Sequence, residues 1–346
     1  MWNPDDLMEQ LYRSYDRQRA QLREQENAQQ TRDRLKQGLA DSLQMGKLPQ
    51  EELRPVLLER LEFEDHIRER VEFGTVLGFC VPAYVLIPKG NKERYTAALA
   101  LHGHGYGSRQ ISGMLPDGSQ QTGEPDSHGN YALELARQGF LVVVPELFGF
   151  GDRRLAEDQQ DGKVNNSSCQ ALTSHLMLYG ISIAGLRVQE ALRAVDYVLS
   201  REDVEGDGVG CFGFSGGALV ASYAAAMDER IKATVLCAFP NTFKGSIMHV
   251  RHCIDNYLPG ALAYGELPEL MGLIAPRALF IASGKQDRIF PVATVETAIG
   301  YLQELYAEAG AAEKLGSHLY EGGHQVNGSQ AYPWLARMMA IESSGI

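Results

Sequence analysis

The sequence has no stripe of basic residues that could follow a nucleic-acid backbone. Its 346 residues include 32 Lys and Arg against 44 Asp and Glu, and the formal net charge is −12 at pH 7. Nucleic-acid binding depends largely on basic side chains that release counterions from phosphates. An acidic balance without a basic stripe therefore argues against a nucleic-acid partner.

Long apolar runs are also missing. No apolar stretch approaches the length of about 18 residues that a membrane-spanning helix needs. The chain opens with Met-Trp-Asn-Pro-Asp-Asp, so carboxylates stand where a secretory signal would have basic residues, and no apolar segment follows them. We therefore expect a soluble, cytoplasmic protein with no membrane partner.

Cysteine is scarce, and no two cysteines form a Cys-x-x-Cys motif. The chain has five of them, widely separated: Cys80, Cys169, Cys211, Cys237 and Cys253. An odd number of scattered cysteines in a long chain indicates reduced thiols in apolar settings. A disulfide framework is not expected.

Residues 1–60 differ in texture from the rest of the chain. They are rich in Gln, Arg and Glu, and Leu7, Leu11, Tyr15 and Leu22 lie at helical intervals. This pattern predicts a helical N-terminal extension. Its helices either pack on the main body or form a dimerisation arm that would make the protein a homo-oligomer.

Residues 61–346 have the texture of a sheet protein, within a globular composition of 44% hydrophobic and 22% charged residues. Eight short apolar or β-branched runs are candidate strands: Ile67–Phe73, Cys80–Ile87, Ala97–His102, Phe140–Pro145, Val209–Phe214, Ala233–Ala238, Ala278–Ser283 and Ser317–Tyr320. Helical patterns lie between most of them, so the sequence predicts an α/β fold with a mostly parallel eight-stranded sheet and helices on both faces. No helical pattern separates the first two runs, which predicts an antiparallel hairpin there.

Two segments are too long to be ordinary connections in such a fold. Residues 152–180 follow the fourth candidate strand, and residues 241–267 follow the sixth. Both are predicted to lie at the carboxyl edge of the sheet, where α/β proteins bind ligands. They are expected to be either lids or packing decorations.

The segment Val209–Leu219 contains the motif Gly-x-Ser-x-Gly, centred on Ser215. A strand-like run precedes the serine and a helix-like run follows it, which is the context of a nucleophile elbow. Small flanking residues permit the strained turn that exposes the serine hydroxyl. Gly208, Gly210 and Gly213 also spell a dinucleotide-binding motif, but they lie within the strand and not after it, so no cofactor site is predicted.

A serine nucleophile needs an imidazole to take its proton and a carboxylate to orient that imidazole. In hydrolases with a nucleophile elbow, the acid and then the histidine follow late strands of the sheet. Asp287 directly follows the seventh candidate strand, and His324 follows the eighth. We predict that Ser215, Asp287 and His324 form a catalytic set, with Glu321 and Glu146 as alternative acids.

Backbone N–H groups beside the serine would stabilise the negative oxygen of a tetrahedral intermediate. One predicted donor is Gly216, the residue after the nucleophile. The other is His104, in the segment His102-Gly103-His104-Gly105 after the third candidate strand. This segment has the His-Gly-x-Gly pattern of an oxyanion loop.

Other residues near these strand ends are less specific candidates. Contact with the substrate is predicted for four of them: His102, Glu146, Phe214 and Asn241. Two histidine pairs could ligate a metal, namely His102 with His104 and His249 with His252, the latter beside Cys253. Zinc needs three or four converging ligands and neither pair has an evident third, so no metal site is predicted.

Together these motifs resemble the α/β-hydrolase superfamily over about residues 65–346. Further segments resemble its bacterial branch of dienelactone-hydrolase-like or acetyl-xylan-esterase-like proteins: Leu186-Arg187 with Ala194-Val195-Asp196-Tyr197, Asn241-Thr242-Phe243, Asn256-Tyr257-Leu258-Pro259-Gly260 and Ala275-Pro276-Arg277. The resemblance implies a serine carboxyl-ester hydrolase that needs no cofactor, but it does not imply the substrate, for which we expect a small-molecule ester.

Two departures limit what the resemblance implies. Dienelactone hydrolases have a cysteine nucleophile, whereas this chain has Ser215, and glucuronoyl esterases have arginine after the serine, where this chain has Gly216. A short-acyl ester, such as an acetylated sugar, is therefore expected rather than a polymer. The alternatives are a peptidase similar to prolyl oligopeptidases and a non-catalytic protein that uses the fold for binding.

Overall fold

The fold is built around one sheet. In the computed structural model, which describes residues 2–90, 92–160 and 162–343, this sheet has nine strands. In chain order they are β1 (Val56–Glu62), β2 (His66–Gly74), β3 (Cys80–Pro88), β4 (Ala97–Leu101), β5 (Leu141–Pro145), β6 (Val209–Phe214), β7 (Ile231–Cys237), β8 (Ala278–Gly284) and β9 (Leu315–Tyr320). Their order across the sheet is β1-β2-β3-β5-β4-β6-β7-β8-β9. The pairs β1/β2, β2/β3 and β3/β5 are antiparallel, and the remaining neighbouring pairs are parallel.

The predicted strands are all present, and the mostly parallel α/β sheet is confirmed. Its nine strands correct the predicted count of eight, because β1 is an additional strand at the edge. All seven residues of β1 are exposed, so its sequence lacks the alternation of a half-buried strand. The predicted antiparallel hairpin is formed by β2 and β3, in which His66 lies opposite Pro88.

Helices cover both faces of the sheet. They are α1 (Pro4–Gln25), α2 (Ala28–Leu43), α3 (Ser108–Ile111), α4 (Tyr131–Arg137), α5 (Ala156–Gln160), α6 (Cys169–Leu178), α7 (Ile183–Leu199), α8 (Gly216–Met227), α9 (Ala261–Tyr264), α10 (Leu267–Met271), α11 (Val292–Glu308) and α12 (Ala331–Ser343). Neighbouring residues of β4 face opposite sides, since Leu99 joins the cluster under α7, α8 and α11 and Ala100 joins the cluster under α4 and α12. Within the described ranges no single helix is long and apolar enough to cross a membrane; α6 and α7 pass that test only as a pair bent by 100°.

The N-terminal helices pack on the body of their own chain. Leu39 of α2 is fully buried in the main apolar cluster, together with Leu35 and Leu43. From α1, the buried Arg19 donates a hydrogen bond to the carbonyl oxygen of Leu262. The apolar face of α2 is thus used within the chain, and the dimerisation arm considered from the sequence is not supported.

The two long insertions fold as short helical elements that contact each other. Residues 152–180, of which residue 161 lies outside the described ranges, include α5 and α6. Residues 241–267 include a π-helical turn (Phe243–Ile247), a 3-10 turn (Ile254–Asn256) and α9. α6 packs against the 3-10 turn. Because the insertions follow β5 and β7, both begin at the carboxyl edge of the parallel strands.

Candidate active site

Ser215 occupies a sharp turn between β6 and α8. Its backbone has φ +54° and ψ −121°, a conformation that costs free energy for any residue with a side chain. Only glycine fits nearby: a Cβ on Gly217 would lie 1.8 Å from the Leu101 carbonyl oxygen, and one on Gly213 would lie 2.5 Å from the Gly217 carbonyl oxygen. The Gly-x-Ser-x-Gly segment therefore folds as an elbow that places Ser215 at the carboxyl edge of the sheet.

A hydrogen-bonded chain connects Ser215 to a histidine and a carboxylate. His324 Nε2 lies 3.0 Å from Ser215 Oγ, and His324 Nδ1 lies 2.8 Å from Asp287 Oδ2. The other oxygen of Asp287 accepts hydrogen bonds from the N–H groups of Ile289 (2.8 Å) and Phe290 (3.1 Å). The structure thus brings the three predicted residues together. A carboxylate only accepts hydrogen bonds, so it favours the proton on Nδ1 and leaves Nε2 as the acceptor for the serine hydroxyl.

Aromatic rings pack on the His324 imidazole. The ring centroids of Phe214 and Phe290 lie 4.9 and 5.8 Å from that of His324. Phe214 is 1% exposed and supports His324, and its contact with substrate stays a prediction. Phe214 also contacts His128, edge-on at 4.9 Å. Burial lowers the pKa of His128, and the neighbouring Asp126 offsets this only in part. No sequence motif surrounds His128, so its place beside the site could not be predicted.

The predicted oxyanion loop lies against the elbow. A Cβ on Gly103 would lie 2.9 Å from the Phe214 carbonyl oxygen and 3.2 Å from Ser215 Cβ. A Cβ on Gly216 would lie 3.1 Å from His104 Nδ1. The loop and the first residue of α8 therefore converge beside the serine. That the backbone N–H groups of His104 and Gly216 bind an oxyanion stays a prediction.

Three further predicted substrate contacts are buried supports. Glu146 accepts hydrogen bonds from the Ser108 N–H (3.0 Å) and the Ser108 hydroxyl (2.7 Å), and His102 accepts one from the Leu147 N–H (3.0 Å). Burial would raise the pKa of Glu146, but His102 and Ser108 outweigh burial and lower it, so Glu146 is a charged anchor of the oxyanion loop. Asn241 is fully buried and hydrogen-bonds to α11. Their contact with substrate stays a prediction, because a place at a strand end does not reveal whether the side chain faces substrate or interior.

The alternative acids, Glu321 and Glu146, are engaged elsewhere. Glu321 is exposed and accepts hydrogen bonds from Lys285 Nζ (2.7 Å) and Gln286 Nε2 (2.6 Å). Glu146 holds the oxyanion loop, as described above. Asp287 is the carboxylate that contacts His324.

Comparison with known proteins agrees with this geometry. The Abhydrolase family matches residues 7–321 of the chain. YtaP of Bacillus subtilis (strain 168), which is provisionally named a hydrolase, is 31% identical over 278 residues, covering 78% of this chain and 86% of YtaP. The chain belongs to the Abhydrolase family. Family membership confirms the α/β-hydrolase resemblance and the hydrolase class that the sequence predicts.

Solved structures confirm the fold of this Abhydrolase-family chain. A protein of Bacteroides fragilis NCTC 9343, provisionally named an acetyl xylan esterase, has a TM-score of 0.70 at 18% identity, over 84% of this chain and 74% of its own. A glucuronoyl esterase of Solibacter usitatus has a TM-score of 0.64 at 14% identity, over 90% of this chain and 92% of its own. At such low identity the likeness concerns the fold alone.

Next to the elbow, side chains of the metal-ligand type converge. His104 Nε2, Cys169 Sγ, Cys253 Sγ and a carboxylate oxygen of Asp255 all lie within 4.8 Å of one another. Burial would raise the pKa of Asp255, but His104 and Arg187 outweigh burial and hold that pKa well below its usual range. These ligands come from separate segments, so the sequence alone predicts no metal site here. Only folding brings the two insertions to the oxyanion loop.

A separate cavity of about 540 Å³ lies between the insertions and α1. Its walls are mostly apolar and include Tyr15, Met177 and Tyr257. Ser215 and His324 are not among its lining residues. In this structure the cavity is therefore distinct from the surroundings of the serine.

Proposed function

We propose that this Abhydrolase-family chain hydrolyses carboxylic esters, with Ser215 as the nucleophile, His324 as the general base and acid, and Asp287 as the residue that orients His324. The observation that carries the proposal is the unbroken chain of contacts, 3.0 Å from Ser215 to His324 and 2.8 Å from His324 to Asp287. The esterase names of solved structures with the same fold support the ester class.

The reaction begins when the Ser215 oxygen attacks the acyl carbonyl carbon and its proton moves to His324 Nε2. The carbonyl oxygen becomes negative, and the N–H groups of His104 and Gly216 stabilise it. The bond to the alcohol then breaks, His324 gives its proton to the departing alcohol, and an ester remains on Ser215. Water cleaves this ester by the same route, which releases the acid and restores the hydroxyl.

We further propose a small ester with a short acyl group, such as an acetylated sugar, as the substrate. Ser215 is only 9% exposed, and the oxyanion loop lies against it, so a short acyl group needs the least rearrangement to reach it. An acetyl xylan esterase is among the names of the solved structures with this fold. Gly216 stands where glucuronoyl esterases have arginine, which disfavours a uronic acid ester.

The first test is labelling with a fluorophosphonate, read by intact mass, on the wild-type chain and on Ser215→Ala. We expect one adduct on the wild type, none on the variant, and a loss of about 10⁴-fold or more in kcat/KM for nitrophenyl acetate. Ser329→Ala changes an exposed serine and is the matched control, which should keep both adduct and turnover. An adduct that persists in Ser215→Ala would contradict the assignment of the nucleophile.

A series of substrates tests the ester class. Among nitrophenyl esters, acetyl or another short chain should be hydrolysed fastest, and turnover should fall as the acyl chain lengthens. Faster cleavage of an aminoacyl nitroanilide than of any ester would favour a peptidase instead. A folded wild type with neither adduct nor turnover would favour a binding protein.

A further inference from the structure

The cluster beside the oxyanion loop joins three separate parts of the chain. His104 belongs to the loop after β4, Cys169 begins α6 in the first insertion, and Cys253 and Asp255 lie in the second. Cys169 and Asp255 are 1% and 3% exposed, whereas the His104 side chain is 34% exposed. The ligand atoms are therefore largely shielded from water, and His104 and the half-buried Cys253 leave a path from solvent.

Two separations in the cluster are close to those of a tetrahedral zinc site. Zinc bonds of about 2.0–2.2 Å to nitrogen and oxygen and about 2.3 Å to sulfur give tetrahedral edges of about 3.3 Å between N and O and about 3.6 Å between S and O. The distance from His104 Nε2 to Asp255 Oδ2 is 3.2 Å, and that from Cys169 Sγ to the same oxygen is 3.3 Å. Since the widest pair is within 4.8 Å, closure around an ion needs a movement of about 1 Å.

His104 Nε2 contacts Asp255 Oδ2, which lies 3.2 Å away. The nitrogen is buried, and this contact lacks the geometry of a hydrogen bond. A buried nitrogen without a well-formed hydrogen bond costs free energy. Coordination of a metal by Nε2 would remove this cost, and imidazole nitrogen is a common zinc ligand.

Arg187 balances the charge of such a site. Its guanidinium donates hydrogen bonds to Asp255 Oδ2 (2.6 Å) and to Cys169 Sγ (3.2 Å), and it is also fixed by the Phe148 carbonyl oxygen (2.7 Å). Two thiolates and one carboxylate carry three negative charges, and a divalent ion with one guanidinium carries three positive charges. The buried group would thus be neutral, with Arg187 orienting two of the ligands from outside.

We propose that His104, Cys169, Cys253 and Asp255 bind one zinc ion in tetrahedral coordination. The ion ties both insertions to the oxyanion loop. A Cβ on Gly216 would lie 3.1 Å from His104 Nδ1, so the same histidine faces the elbow with one ring nitrogen and the ion with the other. Any effect of zinc on turnover rests on the proposed function, but binding of the ion does not.

The test uses the full chain, stripped with a chelator and then titrated with Co²⁺ and Zn²⁺. We expect about one metal per chain by elemental mass spectrometry and a thiolate-to-cobalt absorption band that zinc abolishes. Cys253→Ser should weaken zinc binding by about 100-fold or more and reduce that band. Cys80→Ser removes an exposed thiol outside the cluster and should bind like the wild type. Far-UV circular dichroism checks that each variant is folded.

Two results would overturn the proposal. One is a wild-type chain that binds neither metal at micromolar concentration or binds cobalt without a thiolate band. The other concerns oxidation by hydrogen peroxide, which would form a disulfide between Cys169 and Cys253 with loss of two protons while peroxide is reduced to water. The proposal fails if this oxidation is as fast with zinc present as without it. That outcome would make the cysteines a redox pair. Ser215→Ala should bind zinc like the wild type, so failure of the proposed function and failure of the metal site are distinguishable.

Discussion

At the scale of single residues, Asp287 uses its two oxygens for different purposes. One accepts the backbone N–H groups of Ile289 and Phe290, and the other faces His324. In Asp287→Asn the amide oxygen can keep the backbone hydrogen bonds, but the amide NH₂ then faces His324 and favours the wrong imidazole tautomer. We expect kcat for nitrophenyl acetate to fall about 10⁴-fold, with little change in the urea midpoint of unfolding.

Glu321→Gln is the matched control for this prediction. Glu321 is the alternative acid on the neighbouring loop, but its carboxylate faces Lys285 and Gln286 at the surface. Its neutral variant should keep the wild-type kcat. If Glu321→Gln lost as much activity as Asp287→Asn, the role of the acid would pass to Glu321.

His128 makes stability depend on pH. Burial lowers its pKa, because the charged imidazolium is disfavoured there, and the neighbouring Asp126 offsets this only in part. The unfolded chain therefore binds this proton more readily than the folded chain. The free energy of unfolding is undiminished by His128 above the unfolded pKa of about 6.5, and it decreases as the pH falls below that value. Urea unfolding of the wild type should show that the free energy of unfolding decreases from about pH 7 to pH 5. His128 contributes at most about 1.4 kcal/mol per pH unit to this decrease. His128→Asn should show a shallower slope, and equal slopes would exclude His128 as the source.

The residues around the serine can be predicted from the sequence far better than the buried residues behind them. Ser215, Asp287 and His324 each directly follow a strand, and parallel strands bring such ends to one edge, so their proximity could be predicted. His128 and Asp255 lie in loops without periodicity, and only tertiary packing buries them. The burial of His102, Glu146 and Asn241 could not be predicted for the same reason.

At the scale of elements, the turn from β6 to α8 depends on close contact with β4. A Cβ on Gly217 would lie 1.8 Å from the Leu101 carbonyl oxygen, which is backbone and cannot rotate away. We expect Gly217→Ala to lower the free energy of unfolding by about 3 kcal/mol or more, measured by urea unfolding. Gly300→Ala, in α11 with nothing within 4 Å, is the control and should raise it by about 0.5–1 kcal/mol. An unchanged midpoint for Gly217→Ala would mean that the elbow can relax.

Elements were predictable from the sequence where burial repeats regularly along the chain. α11 buries one side and shows helical spacing, α7 shows the same spacing although 13 of its 17 residues are buried, and the central strands are continuous apolar runs. β1 is exposed along its whole length, so its residues carry no such signal. The short helical turns of the insertions are only a few residues long. A helical periodicity cannot be recognised over so few residues.

At the scale of the whole molecule, the N-terminal helices are part of the folded core. Leu39 is fully buried in the main cluster, and the family match begins at residue 7, within α1. Leu39→Ala leaves a cavity and should lower the free energy of unfolding by about 2–5 kcal/mol. Leu7→Ala, at a position 53% exposed, is the control and should change it by less than about 0.5 kcal/mol. Urea unfolding at equal m values measures both.

A small effect of Leu39→Ala would mean that the helices dock on a body that is stable without them. The sequence alone left this open, because amphipathic helices that pack on their own chain and helices that pack on a second copy have the same periodicity. Burial of Leu35, Leu39 and Leu43 within one chain supports the first interpretation.

Ser215 stands at the start of α8, a helix of 12 residues of which ten are buried. The two insertions instead reach the oxyanion loop beside it, where Cys169 and Asp255 lie near His104, and surface connections of this kind tolerate substitution and changes of length. The reacting group and the loops beside it can therefore change independently over evolution. For protein engineering, this separation makes residues 152–180 and 241–267 the region in which to seek new selectivity while α8 is left untouched.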